Sequence, residues 1–225
     1  MSRVQQVGCS FCREFNAASE ESRFYNLFHG EIKRRFLWET ENFVVVPGIG
    51  HLQKGYVLIR SKDHYQSIAF LPLNLTQELA ALRLDVITNI ETIFGGNIIC
   101  FEHGAVAPDL RGAACTEHLH LHILPCPSLR PTLREAVNLR PVEDLSSLGE
   151  YVARREPYIL YGERTELFSF ESQYLPKQFM RRRVAAALGR PGDWDWREGV
   201  NERGQATEPE IIETVKLIEQ HKKKS

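Results

Sequence analysis

Three histidines stand at alternate positions, His118, His120 and His122, separated by Leu119 and Leu121 and followed by Ile123. That strict alternation is the period of a half-buried β-strand, on which residues i, i+2 and i+4 share one face. The three imidazoles therefore line up together while Leu119, Leu121 and Ile123 enter the core; on a helix the same spacing would scatter them. A single histidine in a core is ordinarily a hydrogen-bonded structural group, but three on one face ask for chemistry. Two kinds fit: metal chelation and covalent catalysis. Same-face neighbours on a straight strand lie about 6.6 Å apart, which puts the outer pair roughly 13 Å apart. One zinc, with ligand bonds near ~2.0–2.1 Å, cannot easily take all three, so at least one imidazole is left for reaction.

A second group with chemical potential opens the chain. Cys9 and Cys12 form a C-x-x-C pair, and a tight turn can bring both sulfurs onto one zinc. A redox dithiol would need a βαβ context, and none follows. Partly buried structural thiols are the plain alternative. Five cysteines in 225 residues do not form a secreted disulfide framework, which points to a reducing cytoplasm.

The rest of the composition is that of an ordinary globular protein, 43% hydrophobic and 25% charged. A formal net charge of −1 gives no global attraction to polymeric nucleic acid or anionic membrane. No stretch reaches the ~18 apolar residues of a membrane span, and the first residues lack a signal-peptide core. The basic runs Arg181-Arg182-Arg183 and Lys222-Lys223-Lys224 read as solvated surface.

The elements that must position the histidines follow from period and punctuation. Strands are expected at 36–39, 43–47, 56–60 and 97–102, β-branched and bounded by Gly or Pro. A helix is expected from Asn74 to Phe94, with a capping box of Asn74 and Gln77, an apolar stripe from Leu75 to Ile93, and a stop at Gly95-Gly96. The loop from His103 to Thr116 leads into the triad strand. Residues 1–128 then form an α+β domain, an antiparallel sheet packed on helices, and 129–225 an extension packing on it. In the extension, a hairpin is expected around Gly162-Glu163 and a helix over 178–188. A second capping box, Thr207 and Glu210, opens a last helix. Trp194 and Trp196 read as anchors of the extension.

The segment His118-Leu119-His120-Leu121-His122-Ile123-Leu124 resembles the signature of the histidine triad (HIT) superfamily, in which three histidines alternate with apolar residues. The resemblance covers about Cys9 to Pro125. It implies a HIT-like fold, a homodimer, and a nucleotide hydrolase or transferase acting at an α-phosphate. It makes His120 the nucleophile that forms a nucleotidyl-histidine, and His122 the contact to phosphate oxygens near the leaving group. Backbone N–H groups around Cys115 and Thr116 would hold those oxygens as charge develops. Similarity to the zinc-containing bacterial members implies a structural zinc site made of Cys9, Cys12, His64 and His118.

The chain also departs from that pattern. Tyr56 stands where a fourth histidine is usual, with His51 or His103 as compensating candidates. Glu102 stands where Asn or Gln helps with phosphate, Gly48 falls where an acidic residue holds the ribose, and Ala113-Ala114-Cys115 replaces Gly-Gln-Ser. The expected substrate-facing set is therefore Tyr56, Glu102, His103, Cys115 and Thr116. The expected reaction releases AMP from a nucleotide-containing small molecule through a P–N or P–O–P bond. P–N is slightly favoured because an amine could pair with Glu102. The alternatives are nucleotidyl transfer or phosphorolysis, and a non-catalytic zinc-dependent interaction module.

Overall fold

The sheet grows from runs of β-branched residues. The computed structural model describes residues 4–16, 36–114, 118–196 and 204–224. β1 (Trp38–Glu39) pairs antiparallel with β2 (Phe43–Pro47), β2 with β3 (Val57–Ser61), and β3 with β5 (His120–Pro125). β5 in turn pairs with β4 (Ile98–Gly104), which places the triad strand in the interior of the sheet. β4 carries the sheet onward to β7 (Tyr158–Glu163), β8 (Glu166–Glu171) and β6 (Arg140–Pro141), giving one antiparallel sheet in the order 1-2-3-5-4-7-8-6. Residues beyond 128 thus do not form a body of their own; their strands continue the sheet that holds the triad.

Every residue of β2, β3, β4 and β5 is buried, so neither face is open to solvent. The half-buried strand expected from the histidine alternation is in fact covered on both sides. One face carries Phe43, Val45, Ile59, Cys100, Leu121 and Ile123 and packs on helix α2 (Leu73–Phe94). The other carries Val44, Val46, Leu58, Ile99, Phe101 and Leu124 and packs on residues of the extension, among them Phe179, Met180 and Val184 of α5 (Phe179–Ala187). The histidines lie on this second face by the period-two rule. Between β5 and α5 the chain forms two short helices, α3 (Arg130–Ala136) and α4 (Gly149–Arg154).

α2 presents the expected stripe: Leu75, Leu79, Leu82, Val86 and Ile90 are buried. Burying a leucine or isoleucine such as Leu79 or Ile90 stabilises by about 1.5–3 kcal/mol, and truncating Leu79 to alanine costs about 2–5 kcal/mol. The expected capping box does not form. Pro72 occupies the cap position, so Asn74 already lies inside the helix, and no side chain caps the end. The stop is as expected, with Gly95 at φ 70° and its N–H donating to the Glu91 carbonyl at 2.8 Å.

The last helix, α6 (Gly204–Lys222), spans Thr207 as well, so the second expected box does not mark its start. Ile211, Val215 and Ile218 of α6 join the core on the α2 side. The hairpin turn falls two residues beyond its expected place, at Arg164 (φ 48°) and Thr165, because Gly162 and Glu163 are strand residues paired with Leu167 and Glu166. A Cβ on Gly162 would meet a Leu167 methyl at 2.5 Å, Cys100 Sγ at 2.9 Å and the Glu166 carbonyl oxygen at 3.0 Å, so a larger residue there would have to displace its neighbours. No described helix is long and apolar enough to cross a membrane.

Candidate active site and metal centre

Two sites share the triad face. The first lies where α1 (Ser10–Asn16) meets the entrance to β5. His118 precedes the strand proper, held in line by the Leu119 N–H, which donates to the Tyr65 carbonyl at 2.7 Å. The His118 Nε2–H donates to the Ser61 carbonyl at 2.9 Å. That bond leaves the neutral ring's lone pair on Nδ1, which lies 3.5 Å from Cys9 Sγ and 3.5 Å from Cys12 Sγ. His64, just after β3, brings its own Nδ1 to 3.3 Å from Cys12 Sγ.

The four ligand atoms of Cys9, Cys12, His64 and His118 all lie within 4.8 Å of one another, close enough to coordinate one metal ion. Tetrahedral zinc, with bonds near ~2.3 Å to sulfur and ~2.0–2.1 Å to nitrogen, requires ligand separations of about 3.3–3.8 Å. The short contacts match that spacing. The donor set fits as well: two thiols and two imidazoles, one of them oriented by a backbone acceptor on its far nitrogen. Burial and the neighbouring Cys9 push the Cys12 thiol above its ordinary range, a cost that a bound cation removes.

The second site follows along the strand. His120 Nδ1–H donates to the His118 carbonyl at 2.8 Å, so the lone pair of its neutral ring is on Nε2. Desolvation lowers its pKa to about 4, with the charges of Arg60 and Arg181 adding to the effect. Arg60 lies directly opposite His120 in the β3–β5 register. It is clasped by α1, with Glu14 at 2.7 Å and the Phe11 ring 3.7 Å from its guanidinium carbon. Phe11 also sets its ring edge-on to His118 and His120.

His122 stacks on Phe101, ring centres 4.3 Å apart. Its Nδ1 lies 2.5 Å from Tyr56 Oη, to which Arg181 Nη1 donates at 2.9 Å. His103 sits beside it, ring centres 6.1 Å apart, and its Nε2 accepts the Met180 N–H at 3.2 Å. Desolvation lowers both rings, His103 to about 3 and His122 well below the ordinary value. His120 and His122 are only 5% and 4% exposed, so α1 and α5 close over the pair.

Several expectations are corrected by this geometry. Glu102 does not face the triad. Its neighbour Phe101 does, and the period of two turns Glu102 to the opposite side. There its carboxylate accepts the Ile68 N–H at 2.9 Å and the Tyr158 O–H at 2.6 Å. Burial raises its pKa to about 7 against those two bonds. Tyr56 Oη lies against His122 Nδ1 on the triad face. His51 cannot stand in for a fourth histidine, because Nδ1–H donates to the Gly48 carbonyl at 3.0 Å and Nε2 lies 3.1 Å from Thr214 Oγ1 of α6. Cys115 and Thr116 lie outside the described residues.

Arg181 escaped the sequence reading because it stands in a basic run. It is 2% exposed. The signal was present in the spacing: Arg181, Val184 and Ala185 share the buried stripe of α5, whereas Arg182 turns outward and lies over Trp194 at 3.3 Å. Trp194 thereby anchors the extension as expected.

No family model matches the chain, and no curated protein matches it. Among solved structures it is similar to a hypothetical histidine triad nucleotide-binding protein from Sulfolobus tokodaii strain 7, at 20% identity and TM-score 0.38, over 52% of this chain and 68% of that one. It is also similar to a HIT family protein from Bacillus anthracis, at 21% identity and TM-score 0.38, over 53% and 73%. A member of the HIT family from Bacillus subtilis gives 18% identity and TM-score 0.39, over 59% and 95%. Likeness this distant carries no activity with it.

Proposed function

We propose that this protein is a zinc-holding hydrolase of histidine triad type that cleaves at the α-phosphate of a nucleotide-containing small molecule. The observation that carries the reading is the bond from His120 Nδ1–H to the His118 carbonyl, which commits the lone pair to Nε2. That nitrogen attacks phosphorus, and the bond to the leaving group breaks with its electron pair going to the departing atom. Water then attacks the nucleotidyl-histidine. The P–N electron pair returns to His120, the water's second proton goes to solvent, and a nucleoside monophosphate such as AMP is released. Zinc on Cys9, Cys12, His64 and His118 would serve as a closed structural centre that fixes the strand entrance.

The test is incubation with AMP-amides, a dinucleoside polyphosphate and nucleotide sugars, with products identified by mass spectrometry. The expected result is AMP from the wild type and none from His120→Ala. A His120→Ala variant that keeps full activity overturns the covalent route. ADP in place of AMP when inorganic phosphate is added identifies the transferase alternative.

One observation favours the second reading, a zinc-dependent interaction module: the near-complete burial of His120 and His122 beneath α1 and α5. Failure of the wild type to turn over any substrate, with or without phosphate, would decide for it.

A further inference from the structure

The hydrolase reading requires a phosphate to reach His120, yet α1 and α5 close over that ring, so one of the two covers has to give way. They are held differently. α5 sinks Phe179, Met180, Val184 and Ala185 into the apolar cluster on the triad face. No described side chain of α1 belongs to either apolar cluster of the core. α1 is held instead by Cys12 against His64 and His118, by the ring and carbonyl of Phe11, and by Glu14. An element that buries little apolar surface is the easier one to lift.

The Phe11 and Glu14 contacts converge on Arg60. Its Nη1 donates to Glu14 Oε2 at 2.7 Å, its Nη2 to the Phe11 carbonyl at 3.0 Å, and the Phe11 ring stands 3.7 Å from its guanidinium carbon. Arg60 is fully buried and stands opposite His120 in the β3–β5 register. Residues so placed share a face, with Cβ atoms about 4.5–5.5 Å apart. The same Phe11 ring meets the His120 ring edge-on, centres 5.6 Å apart. The cover over His120 is thus fastened to the cation beside it. A buried guanidinium stripped of its carboxylate is an uncompensated charge, which is strongly unfavourable. Glu14 can therefore leave only as another anion takes its place, and a phosphate offers Arg60 the same fork of oxygens with more charge.

We propose that Arg60 binds the substrate's phosphate and that Glu14 is its internal stand-in: the incoming anion displaces the carboxylate, and α1 lifts away from His120 as Arg60 changes partners. This rests on the hydrolase reading above and deepens it by naming the residues that admit substrate. The contact is autoinhibitory and selective together. A neutral nucleoside has nothing to exchange for Glu14 and leaves the cover shut. A nucleotide gives Arg60 a stronger partner while the Glu14 carboxylate returns to water. α1 keeps its hold at Cys12, against His64 and His118, and turns about that end. Nucleotide affinity is then lowered in proportion to the share of molecules in which Glu14 holds its place.

The experiment compares wild type, Glu14→Gln, Arg60→Lys, Arg60→Gln and the Glu14→Gln/Arg60→Gln double variant. Equilibrium dialysis measures the Kd of AMP and of adenosine, and diethyl pyrocarbonate followed by peptide mass spectrometry reads access to His120. Zinc content, melting temperature and turnover of the AMP-amide and dinucleoside polyphosphate substrates are recorded alongside. Glu14→Gln is expected to bind AMP about tenfold more tightly. It should also be modified faster at His120, with the adenosine Kd and the zinc content unchanged. Arg60→Gln should weaken AMP binding by about tenfold or more, and Arg60→Lys should recover part of that loss. The double variant should gain nothing from the Glu14 change, because no guanidinium is left to free. If Arg60→Gln does not fold, Glu14→Gln alone decides. An ion pair that only holds the fold predicts a lower melting temperature in Glu14→Gln, with AMP affinity and His120 modification unchanged. That result overturns this inference, and turnover by the wild type then leaves the hydrolase reading intact. Tighter AMP binding in Glu14→Gln without turnover by the wild type or any variant overturns the hydrolase reading and leaves the anion exchange standing.

Discussion

His118 and His120 stand two residues apart on one face, both buried and each bonded through one ring nitrogen to a backbone carbonyl. The lone pairs nevertheless fall on different ring nitrogens. In His118 the carbonyl of Ser61 takes the Nε2 proton and turns Nδ1 to the thiols. In His120 the carbonyl of His118 takes the Nδ1 proton and leaves the lone pair on Nε2. The side chain is the same, and the local backbone decides the tautomer. One residue type thereby turns Nδ1 to the cysteine sulfurs at one end of the strand and keeps its lone pair on Nε2 two positions on.

The largest effect that would break this comparison comes from alanine at each position. His120→Ala should lose more than roughly 10⁴-fold in turnover while retaining stoichiometric zinc and its melting temperature. His118→Ala should lose the metal, measured by atomic absorption of freshly purified protein. If both variants lose zinc alike, or both keep it, the division of labour is wrong. Next in size, Cys12→Ser or a strong chelator should lower the melting temperature by about 10 °C, taking ~2–4 °C per kcal/mol for a chain of this size. Chemistry should be affected only after that loss. Protein that purifies with no more than trace zinc would remove the metal centre.

The smallest effect sharpens the contrast between the two faces. The ordinary carboxyl pKa of 4.5 is raised to about 7 at Glu102. The folded state therefore binds a proton that the unfolded state has released between those values. Stability from this group is complete below pH 4.5 and is lost as pH rises through about 7. Its loss amounts to roughly 3 kcal/mol at most. Glu102→Gln should flatten the decline in melting temperature between pH 5 and pH 8. An unchanged slope would show that another group carries it.

What was legible in the sequence was local. Strict alternation gave β5, spacing by three and four gave α2, and Gly95-Gly96 gave its end. The ligand set could be placed through the resemblance, and the structure brings its four residues together. What could not be read depended on register and on distant segments. Whether Glu102 or Phe101 faces His122 is set by the β4–β5 pairing, in which Phe101 stands opposite His122, and a one-residue slip would exchange them. The cover over the histidines comes from α5, some sixty residues downstream. The capping patterns misled because the same residue types also occur within helical turns, as Asn74 does two residues after Pro72.

The place of α5 in chain order bears on how the protein comes into being. A ribosome releases the triad strand well before it has made Phe179–Ala187, so a nascent chain carries the three histidines without α5 and Tyr56 without its guanidinium partner. The site matures only when the extension folds back. Any stall or cleavage upstream of Arg181 would therefore leave a polypeptide with the signature intact and the Arg181–Tyr56 bond missing.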